Sequence, residues 1–291
     1  MGAGSWSTTS YCCYSKSLGR DYDVNTGRVS GHEFTTRRLD ESLDPSKFEV
    51  RECVNSEEHP NTIPVILALD VTGSMGEACR ETAEALNVII TSLYEKYKDI
   101  EFCVMGIGDL ECDRAPIQMS QFESDVRIAE ALDKIYMEHG GGGNRYESYT
   151  AAWYVGLKKT KLDCFDKQGR KGIIITMGDE PLNPVLRRSE LNEFANVHEQ
   201  DDIKTDKLYA EAREKFDIFH IAVDDHDDMY RHYKKDIEDS FGQLLGDRYK
   251  VSTINQLAPT IESCISESIQ GNPGEASLTG IILDESGEIS W

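Results

Sequence analysis

The amino-acid sequence predicts an α/β protein: a doubly wound, mostly parallel sheet with helices on both faces. Three observations carry that reading. Apolar runs of strand length alternate with segments of helical periodicity, the pattern of successive strand–helix–strand units. The runs are apolar nearly throughout, as befits strands buried on both faces, and do not alternate with polar residues. Three of them hand acidic residues to the loop that follows, at Asp70, Asp179 and Asp224-Asp225.

Taken in order, residues 1–61 are polar and rich in Ser, Thr, Tyr and Arg, an irregular extension with room for a strand or two. Its apolar anchors Trp6, Tyr11, Tyr14, Phe34, Phe48 and Val50 are too many for a solvated linker, so it is expected to pack on the core. Ile63–Asp70 is a buried strand, and Glu77–Tyr97 is an amphipathic helix through Leu86, Ile89, Ile90, Leu93 and Tyr97. Phe102–Ile107 is a second strand, followed by an edge strand around Ile117–Phe122 and a helix over Ser124–Met137. The tetraglycine run Gly140–Gly143 is a loop leading into a helix from Glu147 to Lys159. Beyond it come a strand at Gly172–Met177, a helix at Lys204–Lys215 and a strand at Asp217–Val223. Helices at Tyr230–Ser240 and Ile254–Ser268 enclose a short strand at Tyr249–Ser252. Residues 62–268 therefore form one core domain. Residues 269–291 form a tail in which two alternating runs flank a Glu-Ser-Gly turn, a hairpin pattern.

The balance of 53 acidic against 31 basic residues gives a formal net charge of −22, which narrows the functional classes. Such a chain is repelled by phosphate backbones, and its basic pairs Arg187-Arg188 and Lys234-Lys235 are short and not interleaved with aromatics. Nucleic acid is not an expected partner; a cation or a basic protein is. The longest apolar runs are strand-sized, so no membrane span is expected, and the first residues lack the apolar centre of a signal peptide. Eight cysteines without a disulfide rhythm point to a reducing, cytoplasmic compartment. Cys12, Cys13, His32, Cys53 and His59 fall close together in the sequence, but no pair has zinc-ribbon spacing.

In an open parallel sheet ligands sit beyond the carboxyl ends of the strands, so the strand-end residues carry the chemistry. The first core strand ends Asp70-Val71-Thr72-Gly73-Ser74-Met75. A carboxylate and two hydroxyls at alternate positions can converge on one point, and three hard oxygens suit Mg²⁺ (or Mn²⁺ or Ca²⁺) better than a soft metal. Gly73 is expected to ease the turn. The bland alternative is a helix cap, with Thr72 or Ser74 capping the helix that starts near Glu77. A second carboxylate, Asp179, ends another strand, and the glycine run leads to Asn144, Glu147 and Ser148.

With these residues in place the sequence resembles a von Willebrand factor A (VWA) domain, a Rossmann-like fold, with a variant metal-ion-dependent adhesion site. The family motif is Asp-x-Ser-x-Ser, matched by Asp70, Thr72 and Ser74. The family's later aspartate corresponds to Asp179. The family threonine is missing from GGGGNRYES; counting back from Ala151-Ala152 places Glu147 nearest that position, with Asn144 second. The variant resembles a bacterial branch whose members accompany AAA+ ATPases of the MoxR type. The resemblance implies a metal held by Asp70, Thr72, Ser74, Glu147 and Asp179, used for binding a partner protein and not for catalysis. Glu147 in place of threonine would set three negative charges against the ion's two positive ones, so that either Glu147 itself takes the sixth position and closes the site or the partner offers a neutral oxygen or a basic group. Asp109 ends the second strand beside the same site, and the acidic run Asp224–Asp228 is a further cation candidate.

Two other readings stay open. Asp70-Val71-Thr72-Gly73-Ser74 also resembles the phosphorylation loop of haloacid-dehalogenase-like phosphatases, with Asp70 as nucleophile and Gly108-Asp109 with Asp113 mimicking their metal motif. Against it, Thr72 stands where soluble members carry a second aspartate. The third reading is a structural interaction domain whose metal loop is empty. No Ser–His–Asp or Cys–His arrangement is legible, and His220, inside an apolar strand, reads as a satisfied core residue.

Overall fold

The computed structural model describes residues 4–138, 146–224 and 228–271. Helix α1 (Thr8–Ser17), strands β1 (Asp21–Tyr22) and β2 (Val29–Ser30), and strand β3 (Arg51–Cys53) precede the core. The core continues through β4 (Ile63–Asp70), α2 (Gly76–Lys96), β5 (Ile100–Ile107), β6 (Ile117–Met119), α3 (Arg127–Asp133) and α4 (Thr150–Lys158). Next come β7 (Thr160–Leu162), α5 (Asp163–Asp166), β8 (Gly172–Gly178), β9 (Val185–Leu186), α6 (Arg188–Ala195), β10 (Ile203–Lys204) and α7 (Thr205–Lys215). The described chain closes with β11 (Phe216–Val223), α8 (Asp228–Leu245), β12 (Tyr249–Ser252) and α9 (Leu257–Gly271).

The fold is mixed α/β. Its main sheet has six strands in the order β12-β11-β8-β4-β5-β6, parallel throughout except for β6, which runs antiparallel to β5. Alternation along β4 splits the core in two. Val65, Leu67 and Leu69 join the side chains of α2 and α9, while Ile66 and Ala68 join those of α4, α7 and α8. Fully burying each such aliphatic side chain contributes about 2 kcal/mol, which is why uninterrupted apolar strands need a layer on either side. The chain passes from β4 to β5 on one side and later returns to β8 on the other, so the carboxyl ends of β4, β5 and β8 lie side by side.

The N-terminal extension packs on the first of these layers. Tyr11 is buried there, with Trp6, Tyr14, Tyr22 and Phe34 half-buried around it. Phe48 meets the other layer, whereas Val50, expected as an anchor, is exposed. Asp133 ties the extension down: Tyr14 Oη donates to it at 2.6 Å and both terminal nitrogens of Arg20 donate to its two oxygens.

Several elements differ from the sequence reading. Helix α1 forms where only irregular chain was expected; Ser7 caps it, and Tyr11 gives it an apolar anchor. Helix α3 is half the predicted length, because Gln118 binds both the N–H and the carbonyl of Tyr136 and holds that segment out of the helix. Helix α4 begins at Thr150 and not at Glu147, since Glu147 forms a parallel bridge to Leu182. The short helix α6 was not foreseen. The suggested hairpin at 278–291 lies outside the described residues.

Candidate functional site

Asp70, the last residue of β4, is fully buried. Its Oδ1 accepts the Thr72 N–H at 2.9 Å and the Thr72 hydroxyl at 2.5 Å, and its Oδ2 accepts the Tyr149 hydroxyl at 2.7 Å. Ser74 Oγ donates to Asp179 Oδ1 at 3.2 Å. The structure thus joins the expected residues in two pairs, Asp70 with Thr72 and Ser74 with Asp179. The helix-cap alternative does not hold: Thr72 sits at the N-cap of the 3-10 turn Gly73–Met75 yet makes no capping bond. Gly73 does not need to be glycine, having neither a left-handed φ nor a neighbour a Cβ would meet.

Glu147 is also buried, and its Oε2 has no hydrogen-bond partner among the described residues. Burial pushes its proton affinity far up, and the nearby carboxylates Asp70, Glu180, Asp113 and Asp109 push the same way. Asp70 is raised by burial and by Glu180, against the lowering bonds from Thr72 and Tyr149. Burial, then Asp179, Asp109 and Asp113, raises Glu180 to about 7. Asp113 rises to about 6 through burial and its neighbours Glu138 and Asp109, although the Asp109 N–H donates to it at 2.8 Å. Asp109 is buried, accepts the Glu111 N–H through Oδ1, and has an Oδ2 with no hydrogen-bond partner among the described residues. Glu147, Asp70, Asp113 and Glu180 are thus each raised first by burial and then by neighbouring carboxylates.

Tyr149 escaped the sequence reading. Its fully buried ring lies against His220 and Phe241, and its hydroxyl reaches Asp70 and accepts the Glu180 N–H at 3.4 Å, so one side chain bridges two strand-end loops. A Cβ at Gly178 would lie 1.9 Å from that hydroxyl, so glycine is required there. The only hint in the sequence is the Gly178-Asp179 pair, which does not reveal what approaches the glycine. His220 bonds Thr176 Oγ1 through Nδ1 at 2.9 Å, but its Nε2 has no hydrogen-bond partner among the described residues, so within them it is a core residue only half satisfied.

Among the described residues no group of three or more His, Cys, Asp or Glu side chains is arranged to hold a metal ion. The expected donor set leans on the Thr72 and Ser74 hydroxyls, and it is hard oxygen throughout. The orphaned Glu147 oxygen, with other carboxylates near it, is of a kind that would suit a divalent cation, because such an ion would favour the ionised form of each. The engagement of both Asp70 oxygens by Thr72 and Tyr149 leaves that carboxylate least free for direct ligation. Asn144 and residues 225–227 of the acidic run lie outside the described residues.

No protein-family model matches the chain, and no curated protein matches it. Two structures of the pilus adhesin SpaC from Lactobacillus rhamnosus GG, one of them in its open conformation, are similar to it at 13% identity, with TM-scores of 0.46 and 0.45. Each comparison covers 75% of this chain but only 30% and 31% of the adhesin, so the chain spans under a third of that protein's length.

Proposed function

We propose that the chain is a metal-dependent protein–protein interaction module with a doubly wound VWA-type core, not an enzyme. Its divalent ion, Mg²⁺ or else Mn²⁺ or Ca²⁺, is held by Asp70, Thr72, Ser74, Glu147 and Asp179. The observation that carries the reading is the buried, unpartnered Glu147 oxygen amid carboxylates at the ends of adjacent parallel strands. When bound, the metal offers an open position to an oxygen of a partner protein. The chain's own residues do the rest: Tyr149 and Thr72 fix the Asp70 carboxylate, and Ser74 binds the Asp179 loop to the Asp70 loop. The resemblance extends the proposal to a MoxR-type AAA+ ATPase as partner, and the acid excess to a basic surface on it. No nucleic acid or membrane enters the proposal, and among the described residues no helix is long and apolar enough to cross a membrane. The cytoplasmic placement rests on the scattered cysteines.

Against the phosphatase alternative stands Thr72, at the place where soluble members carry a second aspartate; the Asp70 oxygens alone do not decide it, since Oδ2 accepts only the Tyr149 hydroxyl and keeps a lone pair. Titrating Mg²⁺ or Mn²⁺ calorimetrically into chelator-treated protein should give one principal site. Ser74→Ala and Glu147→Gln should each weaken it about tenfold or more, and Asp70→Ala should abolish it, with circular dichroism checking that each variant folds. Unchanged binding by all three variants would move the site elsewhere. Hydroxylamine-sensitive phosphate on Asp70 after acetyl phosphate treatment would replace the adaptor with the phosphatase.

A further inference from the structure

Beside the strand-end cluster lies a pocket of about 320 Å³ that the metal reading does not use. Its volume is at the lower end for a ligand site and suits one long side chain. Tyr146 and Val185, both exposed, stand among its walls. Its charged lining comprises Asp109, Glu111 and Glu190 against Arg187, which Glu111 already pairs at 2.8 Å.

The walls are held in place before any ligand arrives. Ser148 Oγ accepts the Leu110 N–H at 3.1 Å, joining the loop after β5 to the segment before α4. Asn183 Nδ2 donates to Thr150 Oγ1 at 2.6 Å and to the Val185 carbonyl at 3.1 Å, fixing the loop after β8. The β9–β10 ladder then secures Val185 and Leu186. A preformed pocket spares a ligand the entropy of ordering it.

We propose that this pocket receives a lysine or arginine side chain from a partner polypeptide, its methylenes between Tyr146 and Val185 and its charged end toward Asp109 and Glu111. Charge complementarity selects that occupant. Acids outnumber bases in the lining, and the chain as a whole carries −22. An anionic side chain would meet only Arg187, already neutralised by Glu111, whereas a long cationic one matches both parts of the pocket. The Tyr146 ring adds a face for the cation. The proposal takes the existence of a protein partner from the reading above, but no residue it uses is one of the five proposed metal donors.

The test uses full-length protein with labelled Leu and Val methyl groups, at low salt and in chelator. Nα-acetyl-lysine amide and Nα-acetyl-arginine amide should shift the Leu110, Val185 and Leu186 methyl resonances and bind about tenfold or more tightly than Nα-acetyl-norleucine amide. Glu190→Gln and Glu111→Gln, both at the surface, should each weaken the cationic probes about threefold. Equal binding of norleucine amide would make the pocket merely apolar, and tighter binding of Nα-acetyl-glutamate amide would make Arg187 the anchor; either result overturns the proposal. So would unmoved methyl resonances with the cationic probes, or binding that requires Mg²⁺. Failure of the metal titration would leave this result untouched, so the two readings fail separately.

Discussion

Tyr149 and Gly178 form one unit at the scale of single residues. The tyrosine hydroxyl occupies the space a side chain at 178 would need, and from there it donates to Asp70. Gly178→Ala should therefore cost about 3 kcal/mol in denaturant unfolding, from overpacking in a site with no slack. In a Tyr149→Ala background the same change should cost much less, and the difference in the double-mutant cycle measures the contact. Equal costs in both backgrounds would show that Gly178 is needed for another reason. Glu101, at the start of β5, is a second informative residue. Burial raises it to about 7, and Cys53 Sγ donates to it at 3.2 Å. A carboxyl raised on folding stabilises the fold below its unfolded value, near 4.5, and that contribution is lost as pH rises through about 7. The loss amounts to about 3 kcal/mol. Glu101→Gln should thus gain stability over the parent by about that amount at pH 8 and little at pH 4.5, read from unfolding curves across that range. A constant difference at all pH values would mean Glu101 does not titrate there.

At the level of elements, the extension is bound to the core through Asp133 in α3, which receives Tyr14 and Arg20 from the N-terminal segment. Asp133→Ala strands the Arg20 guanidinium, only 8% exposed, and should cost about 3 kcal/mol. Hydrogen exchange across residues 8–22 should rise more than across β4, and protease should cut first within the extension; uniform loosening would show that the tether is not local. The same contrast explains how legible the sequence was. Strands β4, β5, β8 and β11 announce themselves because burial on both faces leaves an uninterrupted apolar run, and Asp70 and Asp179 stand out as the polar residues that end such runs. Helix α1 stayed hidden because its sequence, TTSYCCYSKS, has weak helical propensity and folds through contacts with α2 far along the chain. The early end of α3 and the late start of α4 depend on Gln118 and on the Leu182 bridge, pairings no local pattern encodes. Tyr149 was missed for the same reason: its role comes from Gly178 and Asp70, which only the folded sheet brings to it.

For the molecule as a whole, the extension also does something at the rim of the sheet. The Leu43 carbonyl accepts the Met119 N–H at 2.8 Å, Arg51 donates to the Met119 carbonyl, and Gln121 donates to the Glu52 carbonyl, so the outer border of β6 is already engaged by the extension. At the opposite border β12 has only four residues, and Val251 is exposed. A sheet with two free borders can be copied end on end without limit, as in fibrils. A sheet with one border closed cannot. Among the described residues β12 is the border left for pairing, and two copies that met through it would use that border on both sides, so growth would stop at a closed pair. By engaging the β6 border, the N-terminal segment takes away one of the two edges along which a sheet of continuous apolar strands could be extended.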